Sequence, residues 1–320
     1  MTNHQRSASN AGHTFKGFFR HVKYEHLVSG VSGGVSATLV LHPLDVIKVR
    51  LQAHDGTNAD PHKSYNGLRH AFKSILNESG WKGLYQGAVP NIWGAGLAWG
   101  LYFFGFNILK DYIKGDTRTT LSAKEHLTVG MLTGIGTLTL TNPIWVAKTR
   151  LIVQSESSNL AVKSTKYNGM LDTLSKTWKQ EGIKGLYKGY LPGLFGVSHG
   201  ALQFMAYEEL KKLRSSYFGT PVDQKLSSVE YVVMAALSKI FASGTTYPYQ
   251  VVRTRLQDQY NIGRYNGAVD VIKKTWRLEG PLGFYKGLFP NLLRVTPACC
   301  ITFVVYENVL RLLQGENKEK

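Results

Sequence analysis

A chain of 320 residues is long enough for one large domain or two ordinary ones, and 38 basic residues against 21 acidic ones leave a formal charge of +17. That balance selects an anionic partner: nucleic acid, acidic lipid or a small anion. The two cysteines, Cys299 and Cys300, are adjacent, which excludes a disulfide framework and a structural zinc site.

Residues 1–23 carry Arg6, Lys16, Arg20 and Lys23 but no apolar core, so they read as a polar tail rather than a secretory signal. Mean hydropathy is slightly negative over the whole chain, yet residues 27–44, 87–109 and 127–147 are each free of formal charge. Each reaches the roughly 18 to 20 residues a helix needs to cross a bilayer. Residues 189–207, 231–252 and 288–306 are nearly as apolar, the last two interrupted by Lys239 and Arg294. Six spans are expected. Glycines in GVSGG from Gly30 and GMLTGIG from Gly130 let neighbouring helices approach closely.

The same unit occurs three times. YNG recurs at Tyr65, Tyr167 and Tyr265, at spacings of 102 and 98 residues. Glycine runs follow: GWKGLYQG from Gly80, GIKGLYKG from Gly182 and GPLGFYKG from Gly280. Prolines come next, at Pro90, Pro192 and Pro290. Each unit is an apolar helix ending in a P-x-x-x-x-[KR]-x-R stretch, a polar amphipathic connector and a second apolar helix. Two crossings per unit return the chain to its starting side, so the copies must be parallel and related by an axis along the membrane normal. The expected fold is therefore an all-α membrane protein of six transmembrane helices in three parallel repeats with threefold pseudosymmetry. The divisions are a tail over 1–23, repeats over 24–115, 116–218 and 219–313, and a polar tail over 314–320. Basic residues are spread over all connections, so charge alone sets no orientation.

PLDVIKVR from Pro43, PIWVAKTR from Pro143 and PYQVVRTR from Pro248, each followed by an E-G-x4-Y-K-G-like run, resemble the mitochondrial carrier family. Coverage runs over about residues 27–312. Copy one departs, with Ser79 (beside Glu78) in the acidic slot and Gln86 in the basic one. The resemblance implies short amphipathic helices on the matrix side, an inner-membrane location with both termini on the intermembrane-space side, a monomer, and no cofactor. Within the family the text is most similar to carriers of folate or flavin adenine dinucleotide (FAD). The PIW form also occurs in carriers of pyrimidine nucleotides and nicotinamide dinucleotides.

A charge at mid-membrane depth costs about 2.5 to 3.5 kcal/mol on insertion scales and usually faces a partner or a wet cavity. The resemblance supplies one: a matrix gate pairing Asp45 with Lys148, Trp145 with Arg253 through a cation–π contact, and Gln250 with Lys48. Gln52 and Gln257 match the family's glutamine brace, which Ile152 breaks in copy two. An outer gate is implied at Asn107, Lys110, Glu208, Lys211 and Glu307, with Lys110–Glu307 its one complete pair. Arg50, Arg150 and Arg255 are left to general electrostatics.

Asymmetric polar positions are the better candidates for substrate recognition. Lys239 and Arg294 each face glycines in the other two copies. His199 and Gln203, four apart on one helix, are expected to donate hydrogen bonds to a carboxylate or a pteridine or flavin ring. Trp93, with Trp99 and Tyr102, is placed to stack on a flat ring, although aromatic packing competes for Trp99. Gly67, Gly87, Gly169, Gly189, Gly267 and Gly287 open helices and suit anionic lipid head groups, which the resemblance makes cardiolipin. A soluble nucleic-acid-binding protein is opposed by the uncharged runs. No nucleophile–base set, metal-ligand spacing or Walker-type phosphate loop suggests an enzyme.

Overall fold

The computed structural model describes residues 24–55, 65, 67–114, 122–154, 166–219, 227–261 and 263–316. The 1–23 tail lies outside them. Among the described residues there is no strand. Ten helices follow in order: α1 Tyr24–Ala53, α2 Leu68–Gly83, α3 Ala88–Lys114, α4 Ala123–Val153, α5 Met170–Leu186, α6 Tyr190–Phe195, α7 Ser198–Phe218, α8 Ser228–Gln257, α9 Ala268–Glu279 and α10 Leu288–Glu316. Short 3-10 turns occupy Gln259–Asn261 and Pro281–Tyr285. Helix α10 carries on to Glu316, past the 313/314 boundary expected for the last repeat.

Three repeats are visible in the backbone. The odd-numbered long helices α1, α4 and α8 contain Pro43, Pro143 and Pro248 and end with Arg50, Arg150 and Arg255 in their last turns. Each connector helix then turns on a glycine of the same conformation: Gly80 (φ 60°, ψ −159°), Gly182 (φ 65°, ψ −158°) and Gly280 (φ 66°, ψ −163°). Positive φ with extended ψ is open to glycine almost alone, so the E-G and S-G pairs fix the same corner three times. Ser122 and Ser227 open α4 and α8 with full capping boxes to Glu125 and Glu230.

Three helical stretches, Val28–Ala53, Ala88–Lys114 and Pro281–Gln314, combine the length and hydropathy of a membrane span. Of the other three expected spans, 127–147 and 231–252 fall within long helices that miss those limits. Helix α4, for example, carries Thr133, Thr137, Thr139, Thr141 and Asn142 among its apolar residues. The fourth span is not one helix. A tight turn at Gly196 and Val197, with i→i−3 hydrogen bonds from both amides, separates α6 from α7. A side chain at Gly196 would stand 2.7 Å from the Tyr249 hydroxyl.

The chain forms two compact units. In His42–Leu293, the apolar core lies where connectors meet the ends of odd helices, around Val46, Ile47, Ala71, Ile75, Leu84 and Ile152. Away from it, large apolar side chains such as Phe103, Phe104, Phe241 and Phe289 stay exposed, as surfaces solvated by lipid do. The second unit holds residues 24–41 and 294–316. There Gly33 lets two backbones meet, since a Cβ on it would lie 2.7 Å from the Thr302 carbonyl oxygen.

Candidate functional site

The proline stretches bring three helix ends together in the larger unit. Asp45, almost fully buried, receives Lys148 Nζ at 2.6 Å, so the one complete ion pair expected at this gate is formed. Asn91 Nδ2 donates to the same carboxylate oxygen at 3.4 Å. The other two expected contacts are replaced. The cation over the Trp145 ring is Lys148 of its own helix, 5.5 Å from the centroid, not Arg253. Trp145 and Lys148 are three apart and share a face, while the indole N–H is tied back to Thr141 Oγ1 at 3.2 Å. Arg253 instead donates from Nη2 to Asn142 Oδ1 at 3.3 Å. Lys48 donates to Asn291 Oδ1 at 2.9 Å and lies 5.9 Å from the Tyr247 ring centre. Gln250 makes no side-chain hydrogen bond among the described residues.

One turn further on, Gln52 Oε1 accepts from Thr254 Oγ1 at 2.9 Å and its Nε2 donates to Tyr247 Oη at 2.9 Å. Gln257 Oε1 accepts from Thr149 Oγ1 at 2.8 Å and its Nε2 donates to the Lys188 carbonyl at 3.4 Å. Both glutamines thus cross between repeats. Ile152 takes the third place and packs on Gly87.

The buried arginines are the residues that sequence reasoning missed. Arg50 Nε donates to Ile152 O at 3.0 Å, Arg150 Nε to Gln257 O at 3.3 Å and Arg255 Nε to Gln52 O at 3.1 Å. Each therefore satisfies the carbonyl end of the neighbouring repeat's odd helix. Their other nitrogens turn to the connector glutamates. Arg150 meets Glu181 at 2.5 Å and Arg255 meets Glu279 at 2.6 Å, and those carboxylates also hold Lys188 and Lys286, each at 2.6 Å. The E-G-x4-Y-K-G run thus supplies two members of an ion triad, and the helix-end arginine supplies the third. In copy one Glu78 stands 4.0 Å from Arg50, and Gln86 Oε1 accepts from Arg50 at 2.9 Å instead. Burial pushes the Glu181 carboxyl up, but hydrogen bonds from Arg150 and Lys188 outweigh it and hold the carboxyl below its ordinary range.

Towards the C-terminal ends of α3 and α7, Asn107, Lys110, Glu208 and Lys211 form no hydrogen bond or ion pair among the described residues. Glu307, in the second unit, pairs with Arg311 on its own helix. Arg294, in that unit too, is half-buried.

Of the substrate candidates, His199 has the clearest chemistry. Its Nδ1 lies 2.9 Å from Thr246 Oγ1, a hydroxyl that also donates to the Ala242 carbonyl at 2.7 Å. Lys239 and Lys48 both act electrostatically on this ring. Lys239 and Gln203 are half-buried without hydrogen bonds among the described residues, and Trp93 is exposed. None of these lines the cavity of about 1000 Å³ in the larger unit. Trp99, Tyr102, Phe106, Trp145, Tyr249 and Arg253 do. Its aromatic wall is layered: Tyr102 stacks on Phe106 at 6.0 Å, and Phe106 on His126 at 6.2 Å.

The six helix-opening glycines all have positive φ, from 71° at Gly189 to 128° at Gly169. Gly189 and Gly267 border one cavity of about 410 Å³ with Lys184, Lys188, Tyr187 and Tyr265.

The family model described as mitochondrial carrier protein matches three times, over residues 20–117, 119–218 and 224–317. The chain belongs to the mitochondrial carrier family. The match carries the six-span, three-repeat fold with it, and makes this carrier a transporter of small molecules rather than an enzyme. Similar proteins include Folate transporter 1, chloroplastic, of Arabidopsis thaliana, 40% identical over 301 residues (91% of this chain, 96% of that protein). The mitochondrial FAD carrier protein FLX1 of Saccharomyces cerevisiae is 36% identical over 306 residues (89% and 96%). Nicotinamide adenine dinucleotide transporter 2, mitochondrial, of Arabidopsis thaliana is 36% identical over 291 residues (89% and 78%).

Proposed function

We propose that this carrier moves folate, FAD or both between cytosol and matrix by alternating access at one central site. Its place is the mitochondrial inner membrane, with both termini on the intermembrane-space side, and it works as a monomer. Folate or FAD is cargo, and the carrier needs no cofactor and no nucleic acid. The observation that carries this reading is the cavity of about 1000 Å³, with stacked aromatics on its wall and Trp145 and Arg253 among its lining residues. Apolar pockets with few polar groups recognise flat ligands by stacking and anchor them by those few groups. The names of the folate and FAD relatives support the substrate choice.

Alternation follows from the gate's composition. With Asp45–Lys148 as its single carboxylate pair across these repeats, the closed state is held weakly, and substrate needs only a small differential affinity to tip it. Lys239, Arg294, His199, Gln203 and Trp93, none of which lines that cavity, are proposed as substrate contacts in another state of the alternation. Asn107, Lys110, Glu208, Lys211 and Glu307 are proposed as the outer gate. Cardiolipin is the proposed lipid at the helix-opening glycines, with the cavity at Gly189 and Gly267 as one seat. The NAD transporters among the relatives favour a second reading, a carrier of another nucleotide.

Thermal unfolding of the purified chain with folate, FAD, NAD and a pyrimidine nucleotide tests the choice. Folate or FAD should raise the midpoint most, and Lys239→Ala and Arg294→Ala should each reduce that shift. Stabilisation by NAD or the pyrimidine nucleotide alone would replace the first reading with the second.

A further inference from the structure

Each even helix of the larger unit starts from a glycine pressed against the neighbouring repeat. A Cβ on Gly87 would lie 3.1 Å from the Lys148 carbonyl oxygen, one on Gly189 3.0 Å from that of Arg253, and one on Gly287 2.8 Å from that of Lys48. The three touched residues are the three gate cations. With φ of 75°, 71° and 83°, these glycines also hold a conformation that other residues rarely adopt. Docking and gate thus meet at one point in every repeat.

One helical turn later stand Asn91, Gly193 and Asn291. Their amides close the first turn onto the docking glycines, at 3.1, 3.1 and 3.3 Å, so side chains here sit over the gate. Asn291 Oδ1 accepts from Lys48 Nζ at 2.9 Å. Asn91 Nδ2 reaches Asp45 Oδ2, the oxygen that Lys148 holds. Gly193 offers nothing, although a Cβ there would be 3.5 Å from Arg253 Nε and Cζ. Arg253 turns to Asn142, and its Nε has no hydrogen-bond partner.

We propose that Asn91 and Asn291, each four residues after a docking glycine, are working parts of the matrix gate, and that Asn291 is the latch for Lys48 where position 250 lacks an acid. This rests on the alternating-access reading above. Asn291 is a positioning residue, since it acts by holding Lys48. A neutral amide holds an ammonium less firmly than a carboxylate does, so the link from α1 to α10 closes the gate and yields readily.

The test uses the full chain with Asn291→Ala, Asn291→Asp, Lys48→Gln and the two double variants, measured by unfolding in detergent and by transport in liposomes. Without substrate, Asn291→Asp should raise the unfolding midpoint by about 2 °C or more and Asn291→Ala should lower it by a similar amount. In liposomes, Asn291→Asp should slow transport roughly tenfold, the rate equivalent of about 1.4 kcal/mol. In the Lys48→Gln background the difference between Asn and Asp at 291 should vanish. Shifts of the same sign for Ala and Asp, or an Asp effect that survives Lys48→Gln, would overturn the proposal. If Asn291→Ala does not fold, the Asp comparison in the two backgrounds decides alone. Should no folate, flavin or nucleotide be transported, the substrate reading fails, while the unfolding series still judges the latch.

Discussion

Two layers of side chains lie two residues apart on the same three helix ends, and they answer to different demands. The arginine layer is Arg50, Arg150 and Arg255, all buried, each donating Nε to a backbone carbonyl of the neighbouring repeat. The gate layer is Lys48, Lys148 and Arg253 facing Asp45, Trp145 and Gln250, and no two of its contacts are alike. Identical residues in identical places do one mechanical task three times, joining connectors to helix ends. The gate must open, and its strength is set by which acids have been kept. Here Asn91, Asn142 and Asn291 surround the ion pair or replace it. Symmetry marks construction, and its loss marks adjustment.

The largest effect that would break this contrast is in the arginine layer. Arg150→Ala leaves the half-buried Glu181 with Lys188 alone and should cost about 3 to 5 kcal/mol of stability. Arg50→Ala, whose acid is 4.0 Å away, should cost about 1 to 3 kcal/mol, since mainly hydrogen bonds are lost. Equal losses in calorimetry would mean that copy one is no weaker than copy two.

Trp145→Asp tests the gate layer. A carboxylate there would compete for Lys148 and stand near Arg253, so transport should slow about tenfold, near 1.4 kcal/mol, and the unfolding midpoint should rise. An unchanged rate and midpoint would remove Trp145 from the gate.

A smaller effect comes with pH. The Glu181 carboxyl is held below its ordinary value of 4.5, burial opposing and the Arg150 and Lys188 hydrogen bonds prevailing. Its stabilisation is therefore complete above that ordinary value and is lost as pH falls through the lowered one. Glu181→Gln should flatten this acid limb in unfolding measurements between pH 5 and roughly pH 3. The smallest expected change is in the brace: Gln257→Ala should cost about 1 kcal/mol, measurable by denaturant unfolding.

Much of this was legible in the chain itself. The three YNG spacings, the proline stretches and the E-G corners announced the repeats, because each is a local backbone demand repeated at fixed distance. The Asp45–Lys148 pair was legible only through the family resemblance, which joins those two motif positions across neighbouring copies. The partners of Lys48, Arg253 and Trp145 were not. Asn291 and Asn142 are neutral, lie outside the family's gate motif, and become partners only through the close docking at Gly287 and the turn before Pro143. Arg150 and Arg255 were left to general electrostatics, since nothing in P-x-x-x-x-[KR]-x-R says that its last residue is buried against Glu181 or Glu279. The signal was present in the invariable arginine across three otherwise varying stretches.

The most direct test is uptake by liposomes containing the purified chain, with labelled folate, FAD, NAD and a pyrimidine nucleotide offered separately and in competition. Saturable accumulation of folate or FAD, inhibited by the other and little affected by the pyrimidine nucleotide, is the expected result. Transport of NAD or the pyrimidine nucleotide with neither folate nor FAD moving would contradict it.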